Sequence, residues 1–157
     1  MKSELINDLI KANQRLLKAI EKMPEDKKIG DWGKKEIVAH VAGWYEEGVD
    51  GIPKILVGQE PNSFRLSVDN YNKNSVEKRE NKTITKILEE LNNLHKEFIE
   101  QIKNLSEEQI KNFYGTKLGN ENINVLWMID QCISHDNNHK RNRGEILIWL
   151  MQKDKYY

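Results

Sequence analysis

Only one cysteine, three prolines and nine glycines occur in these 157 residues. With Cys132 alone no internal disulfide can form, which suits a reducing compartment. So few helix breakers leave long uninterrupted segments free to be regular. Charge of one sign is also lacking: 25 Lys+Arg balance 25 Asp+Glu, so no global field draws the chain to nucleic acid or another polyanion. No run of apolar residues has the length a membrane span requires. The first residues, MKSELINDLIKANQ, are amphipathic and carry no apolar signal-peptide core. Together these absences predict a cytoplasmic globular protein without nucleic-acid or membrane partners. Charged residues make up 32% of the chain and hydrophobic residues 38%. The apolar positions recur regularly among the charges, so disorder is not indicated and one domain over 1–157 is expected.

What is present has helical period. Leu5, Ile6, Leu9, Leu16, Leu17, Ile20 and Met23 form one stripe, predicting a first helix from Ser3 to Met23 that Pro24 stops. Asp31 is a candidate N-cap for a second helix over Trp32 to Glu47, with Ile37, His40, Val41 and Trp44 on its apolar face. Gly48, Gly51 and Pro53 are expected to disturb the helix beyond Glu47, leaving a short helical piece up to Val57. Residues 59–82 read as a polar crossover with a helical turn around Val68 to Arg79, long for a bundle connection. The stripe Ile84, Ile87, Leu88, Leu91, Leu94, Phe98, Ile102 and Leu105 predicts a third helix over Thr83 to Leu105. Ser106-Glu107-Glu108-Gln109 is a capping box that starts a short extra helix, and Gly115 and Gly119 mark a loop. A fourth helix is expected from Asn124 to Met151. No alternating run suggests a strand. The predicted fold is all-α: a four-helix bundle with a long crossover between helices 2 and 3 and short extra helices.

The fourth helix carries an anomaly. Between Ile133 and Ile146 lies SHDNNHKRNRGE, without a large apolar residue, although apolar stripes flank it. The inward positions of this polar block are taken by His135 and His139, one turn apart on one face. His40 lies on the inward face of the second helix. Three converging imidazoles would suit a borderline divalent ion such as zinc or nickel and leave a coordination position open for chemistry. Against this stands a plainer reading: single inward histidines are more often hydrogen-bonded core residues, and the polar block could be a solvated cleft or a dimer contact. Glu46, Glu47 and Asp136 are candidates for a general base or for a partner to a ligand histidine, each competing with the simpler reading of a solvated charge. Lys140, Arg141 and Arg143 could hold an anionic group of a substrate or cofactor, or form a solvated helix face. Cys132 is a possible fourth ligand, although a small buried hydrophobe is the simpler reading. His95 reads as packing or surface. His135 to His139 has metalloprotease HExxH spacing, but Asp replaces the Glu base and too little chain remains for a downstream ligand. The paired Glu-x-x-His elements of a di-iron bundle are absent.

The order of these motifs resembles the DinB-like, or YfiT-like, four-helix bundle metalloproteins over essentially the whole chain. Their second helix opens with a Trp and leads to a hydrophobic-Ala-His-hydrophobic element, matched by Trp32 through Ala39-His40-Val41. Their last helix bears a His-x3-His pair, matched by His135 and His139, with Arg143-Gly144-Glu145-Ile146 after it in this chain. The resemblance implies a divalent metal on His40, His135 and His139, a homodimer, and reactions on small molecules. Members include bacillithiol, mycothiol or glutathione S-transferases and isomerases, and metal-dependent hydrolases. A related branch acts on a reactive natural product. The expectation is therefore a metal-dependent thiol S-transferase, with a low-molecular-weight thiol such as bacillithiol, or a hydrolase. The alternative is a non-catalytic bundle that binds and sequesters a small molecule.

Overall fold

A computed structural model describes the backbone of residues 1–141 and the side chains of residues 1–137. Four long helices dominate: α1 (Lys2–Glu21), α2 (Lys34–Ile55), α4 (Ile84–Asn104) and α6 (Val125–Arg141). The crossover between α2 and α4 contains a 3-10 turn (Asn62–Arg65) and α3 (Val68–Glu77). A short α5 (Glu107–Lys111) precedes a two-stranded antiparallel hairpin, β1 (Lys117–Leu118) with β2 (Glu121–Asn122). The chain is thus an all-α bundle; the two-residue strands, which no alternating run signalled, close the loop marked by Gly119. None of the described helices is long and apolar enough to cross a membrane.

The apolar stripes end up where their period directs them. α1 packs on α6, α2 packs on both α4 and α6, and α3 lies on α2. Leu9 and Leu16 of α1, Ile52 and Ile55 of α2, and Ile87, Leu91, Phe98 and Ile102 of α4 are fully buried at the shared centre. Helix starts obey local capping chemistry. Thr83 accepts from Lys86 N, Ser67 from Asn70 N, and Ser106 exchanges bonds with Gln109.

Several expected boundaries differ. α2 begins at Lys34 with Gly33 as its N-cap, not at Trp32 with Asp31 as its cap: Trp32 pairs its backbone with Ile29 in a tight turn, and the Glu36 carboxylate accepts from Gly33 N. α2 also runs unbroken past Gly48, Gly51 and Pro53 to Ile55. The glycines there permit close approach. A Cβ on Gly48 would lie 2.9 Å from Phe98 Cε2, one on Gly51 2.9 Å from the Met128 methyl, and one on Gly43 2.3 Å from Ser75 Oγ. Pro53 falls in the last turn, and the turn that follows Ile55 ends at Gly58, whose φ of 73° is left-handed. α1 starts one residue before Ser3 and ends at Glu21. The fourth helix is described as far as Arg141, so its predicted extension to Met151 lies outside the described residues.

The crossover is pinned rather than loose. Arg79 is fully buried, with Nη2 at 3.0 Å from Glu46 and 2.7 Å from Glu90, while Nη1 donates to Ser75 O. Lys78 pairs with Glu46, and Lys82 with Glu90 at 2.7 Å. Burial alone would raise both carboxyl pKa values. The bonds from Lys78 and Arg79 outweigh it at Glu46, and those from Lys82 and Arg79 at Glu90, so both are held below the ordinary value.

Two consequences are measurable. Gly43→Ala should destabilise the protein by about 1–3 kcal/mol in urea unfolding, because Ser75 must give way, and Ser75→Gly in the same chain should restore most of the loss. A lone Gly43→Ala without effect would contradict the close packing of α3 on α2. Because the folded pKa values of Glu46 and Glu90 are depressed, their stabilisation is present above the unfolded carboxyl value and is lost as pH falls through the folded values. The Glu46→Gln/Glu90→Gln double variant should therefore lose stability at neutral pH and show a flatter acid limb than wild type. Parallel stability-pH curves would contradict this.

Candidate metal centre

The site is built where α2 faces α6. On α2, His40, Trp44 and Glu47 succeed one another at steps of four and three and so share a face. On α6, Cys132 and His135 do the same, with Asp136 beside them. The turn before α2 places the Trp32 ring 5.0 Å from that of His40. Trp44 lies 6.5 Å from His40 and 6.0 Å from His135, centroid to centroid. α3 latches Trp44 in place: its indole Nε1 donates to Asn72 Oδ1 at 3.0 Å, the Tyr71 ring packs on it at a tilt, 4.9 Å between centroids, and the Tyr71 hydroxyl donates to Gly43 O at 2.8 Å.

Inside this aromatic wall the two imidazoles meet. His40 Nε2 and His135 Nε2 are 3.0 Å apart, across 95 residues of chain. His40 is fully buried and His135 nearly so. Burial pushes the His135 pKa down to about 3, so its ring is neutral and presents one lone pair. Two nitrogens bonded to one ion at roughly 2.0–2.1 Å would be separated by about 2.9 Å at a right angle and about 3.4 Å at the tetrahedral angle. The observed separation falls within that range, and neutral imidazoles are the correct donors for a borderline ion. The pair therefore fits a shared divalent ion.

The other residues singled out in the sequence divide clearly. His139 is one turn beyond His135 in α6, but its side chain lies outside the described residues, as do those of Lys140 and Arg141; Arg143 lies outside them altogether. Among the described residues no third His, Cys, Asp or Glu completes a ligand set with the pair. Cys132 is buried, and burial, then the charges of Asp136 and Glu47, push its thiol well above the ordinary range. Among the described residues it forms no ligand group with the histidine pair.

Glu47 and Asp136 are not solvated charges. Glu47 is 2% exposed and accepts Ser63 N at 2.7 Å; burial raises its pKa despite that bond. Asp136 is wholly buried and accepts the Tyr45 hydroxyl at 2.5 Å. Burial first, then the Asp136 charge, raises the Tyr45 phenol. Glu46 is the half-buried partner of Lys78 and Arg79 described above. His95 is half-buried, its ring set edge-on to Tyr45 at 5.2 Å.

The described part of the polar block is thus not a solvated cleft. His135 meets α2, Asp136 meets Tyr45, and Asn137 accepts from Arg15 of α1 at 2.7 Å. An open cleft does exist beside the site. It has a volume of about 200 Å³ and is lined by Glu46, Glu47, Asp50, Tyr71, Asn74 and Lys78 among others. Tyr71 connects it to Trp44 and hence to the histidines. Sequence reasoning missed this cleft and the Tyr45 contact. The one visible signal for the latter was Asn13, a buried polar residue inside the α1 stripe that lies beside Tyr45.

Comparison with curated proteins and with solved structures returned no significant match. A family model described as the DinB superfamily matches residues 8–141. That span contains α2, α4, α6 and most of α1, together with His40, His135 and His139, and the chain belongs to the DinB superfamily.

Proposed function

We propose that this protein is a metal-dependent enzyme acting on a small molecule, as a thiol S-transferase of the bacillithiol type or as a hydrolase. The observation that carries this reading is the 3.0 Å approach of His40 Nε2 to His135 Nε2 in a buried, aromatic-walled setting. His139, one turn further along α6, is the proposed third ligand, and zinc or nickel the proposed ion. A divalent ion held by imidazoles supplies acidification of a thiol or water at neutral pH and polarisation of an electrophile.

The chain's own residues supply the rest. Trp32 and Trp44 exclude water from the histidine pair and offer flat apolar faces to a substrate. Glu47 lines the cleft with a carboxyl whose pKa is raised by burial, so it can hold a proton closer to neutrality than an ordinary glutamate. We assign it the general acid/base role. Asp136 is not given that role, because it does not line the cleft and its Oδ2 is engaged by Tyr45. Arg141 and Arg143 are the proposed holders of an anionic substrate or thiol-cofactor group.

Metal analysis of untagged protein after zinc or nickel loading should find about one ion per chain, lost in both His40→Ala and His135→Ala. A metal-free wild type would overturn the reading. With metal retained, a panel of electrophiles and esters assayed with and without bacillithiol separates the two reactions. Thiol-dependent turnover selects the transferase, thiol-independent turnover the hydrolase, and tight binding without turnover the sequestering alternative. Glu47→Gln should keep its metal and lower kcat by about 10²- to 10⁴-fold; full activity in that variant would remove Glu47 from the mechanism.

A further inference from the structure

Each of the four long helices contributes one polar side chain to a layer next to the histidine pair: Asn13 from α1, Tyr45 from α2, His95 from α4 and Asp136 from α6. The centre of the layer is Asp136. Its Oδ2 accepts a hydrogen bond from the Tyr45 hydroxyl at 2.5 Å, and its Oδ1 lies 3.6 Å from His135 Nδ1. Asn13 lies beside Tyr45, and the His95 ring is set edge-on to it. Successive helical side chains diverge by about 100°, so Asp136 points toward Tyr45 while remaining at ion-pair range of its neighbour's ring. At 3.6 Å the contact is electrostatic rather than a hydrogen bond, and it acts across a dry interior that screens it little.

This geometry bears on a choice that a neutral imidazole must make. Its single proton sits on Nδ1 or on Nε2, and only the nitrogen without it can be a ligand. An N–H dipole directed at a nearby carboxylate is favourable, and a lone pair directed at it is not. We propose that Asp136, clamped by Tyr45, is the positioning residue of the histidine pair: it holds the His135 proton on Nδ1 and leaves the Nε2 lone pair aimed at His40 and at an ion taken up there. Its relevance to metal uptake rests on the metal-centre reading, whereas the tautomer does not. The clamp also accounts for a charged residue in the core. Tyr45 compensates Asp136 for lost water and fixes its rotamer, as partners behind ligand histidines do.

Long-range ¹H–¹⁵N correlation of the histidine rings in metal-free protein reads the tautomer directly, and titration with nickel reads the affinity. The wild type should show His135 as the Nδ1–H form. Asp136→Asn should shift it toward Nε2–H and weaken nickel binding by at least about tenfold. Tyr45→Phe, which keeps the carboxylate but releases it, should fall between the two. Ile102→Ala, a core truncation remote from the layer, should lower stability and leave both readouts in place. A wild-type His135 in the Nε2–H form overturns the proposal without any variant. So does a tautomer and affinity indifferent to both Asp136→Asn and Tyr45→Phe. A wild type that takes up no nickel, yet shows an Asp136-dependent tautomer, supports the positioning role and overturns the metal reading instead.

Discussion

Imidazole in an apolar core is costly unless its nitrogens are engaged, and the bundle meets this constraint by bringing His40 and His135 together. Their 3.0 Å approach joins α2 to α6 across 95 residues. It requires two helices in a fixed register, since a slip of one residue on either would turn a ring out of the pair. Much of the surrounding polar structure serves that register. Asp136 is locked to Tyr45, and Asn137 to Arg15, at successive positions after His135, so three consecutive residues of α6 tie it to α2 and α1.

The crossover helix completes the enclosure. α3 approaches α2 closely because Gly43 leaves room for Ser75, and the buried Arg79 anchors its end between Glu46 of α2 and Glu90 of α4. Arg79 with only one carboxylate partner would be a poorly compensated buried charge; with two it is a structural pin. The pin fixes Tyr71 and Asn72 against Trp44, and Trp44 against both histidines. A segment that reads as a long polar connection is in effect one wall of the site, and the cleft lined by Glu47 opens along it.

The helices and the candidate ligands were legible in the sequence because they depend on local period. His40 stands out among Ile37, Val41 and Trp44, and His135 stands out in the polar block. The path of α2 beyond Gly48 was not legible. Glycine and proline weaken a helix in isolation, whereas here Gly48 and Gly51 admit the Phe98 ring and the Met128 methyl from other elements. The burial of Glu47 and Asp136 was hidden for the same reason. Each carboxylate is satisfied by a partner distant in sequence, the amide of Ser63 and the hydroxyl of Tyr45, and composition around either residue gives no hint of them. The polar block was recognised as an anomaly, but its described residues answer to three different neighbours rather than to one cleft.

X-ray absorption on zinc-loaded protein tests the central claim most directly, because it reports ligand type and distance at the ion itself. A shared site on the histidine pair predicts at least two imidazole scatterers at about 2.0–2.1 Å, with the outer-ring scattering peaks of histidine diminished when His40 is replaced by alanine. A shell of oxygen ligands alone, or a spectrum unchanged by removal of His40, would contradict it.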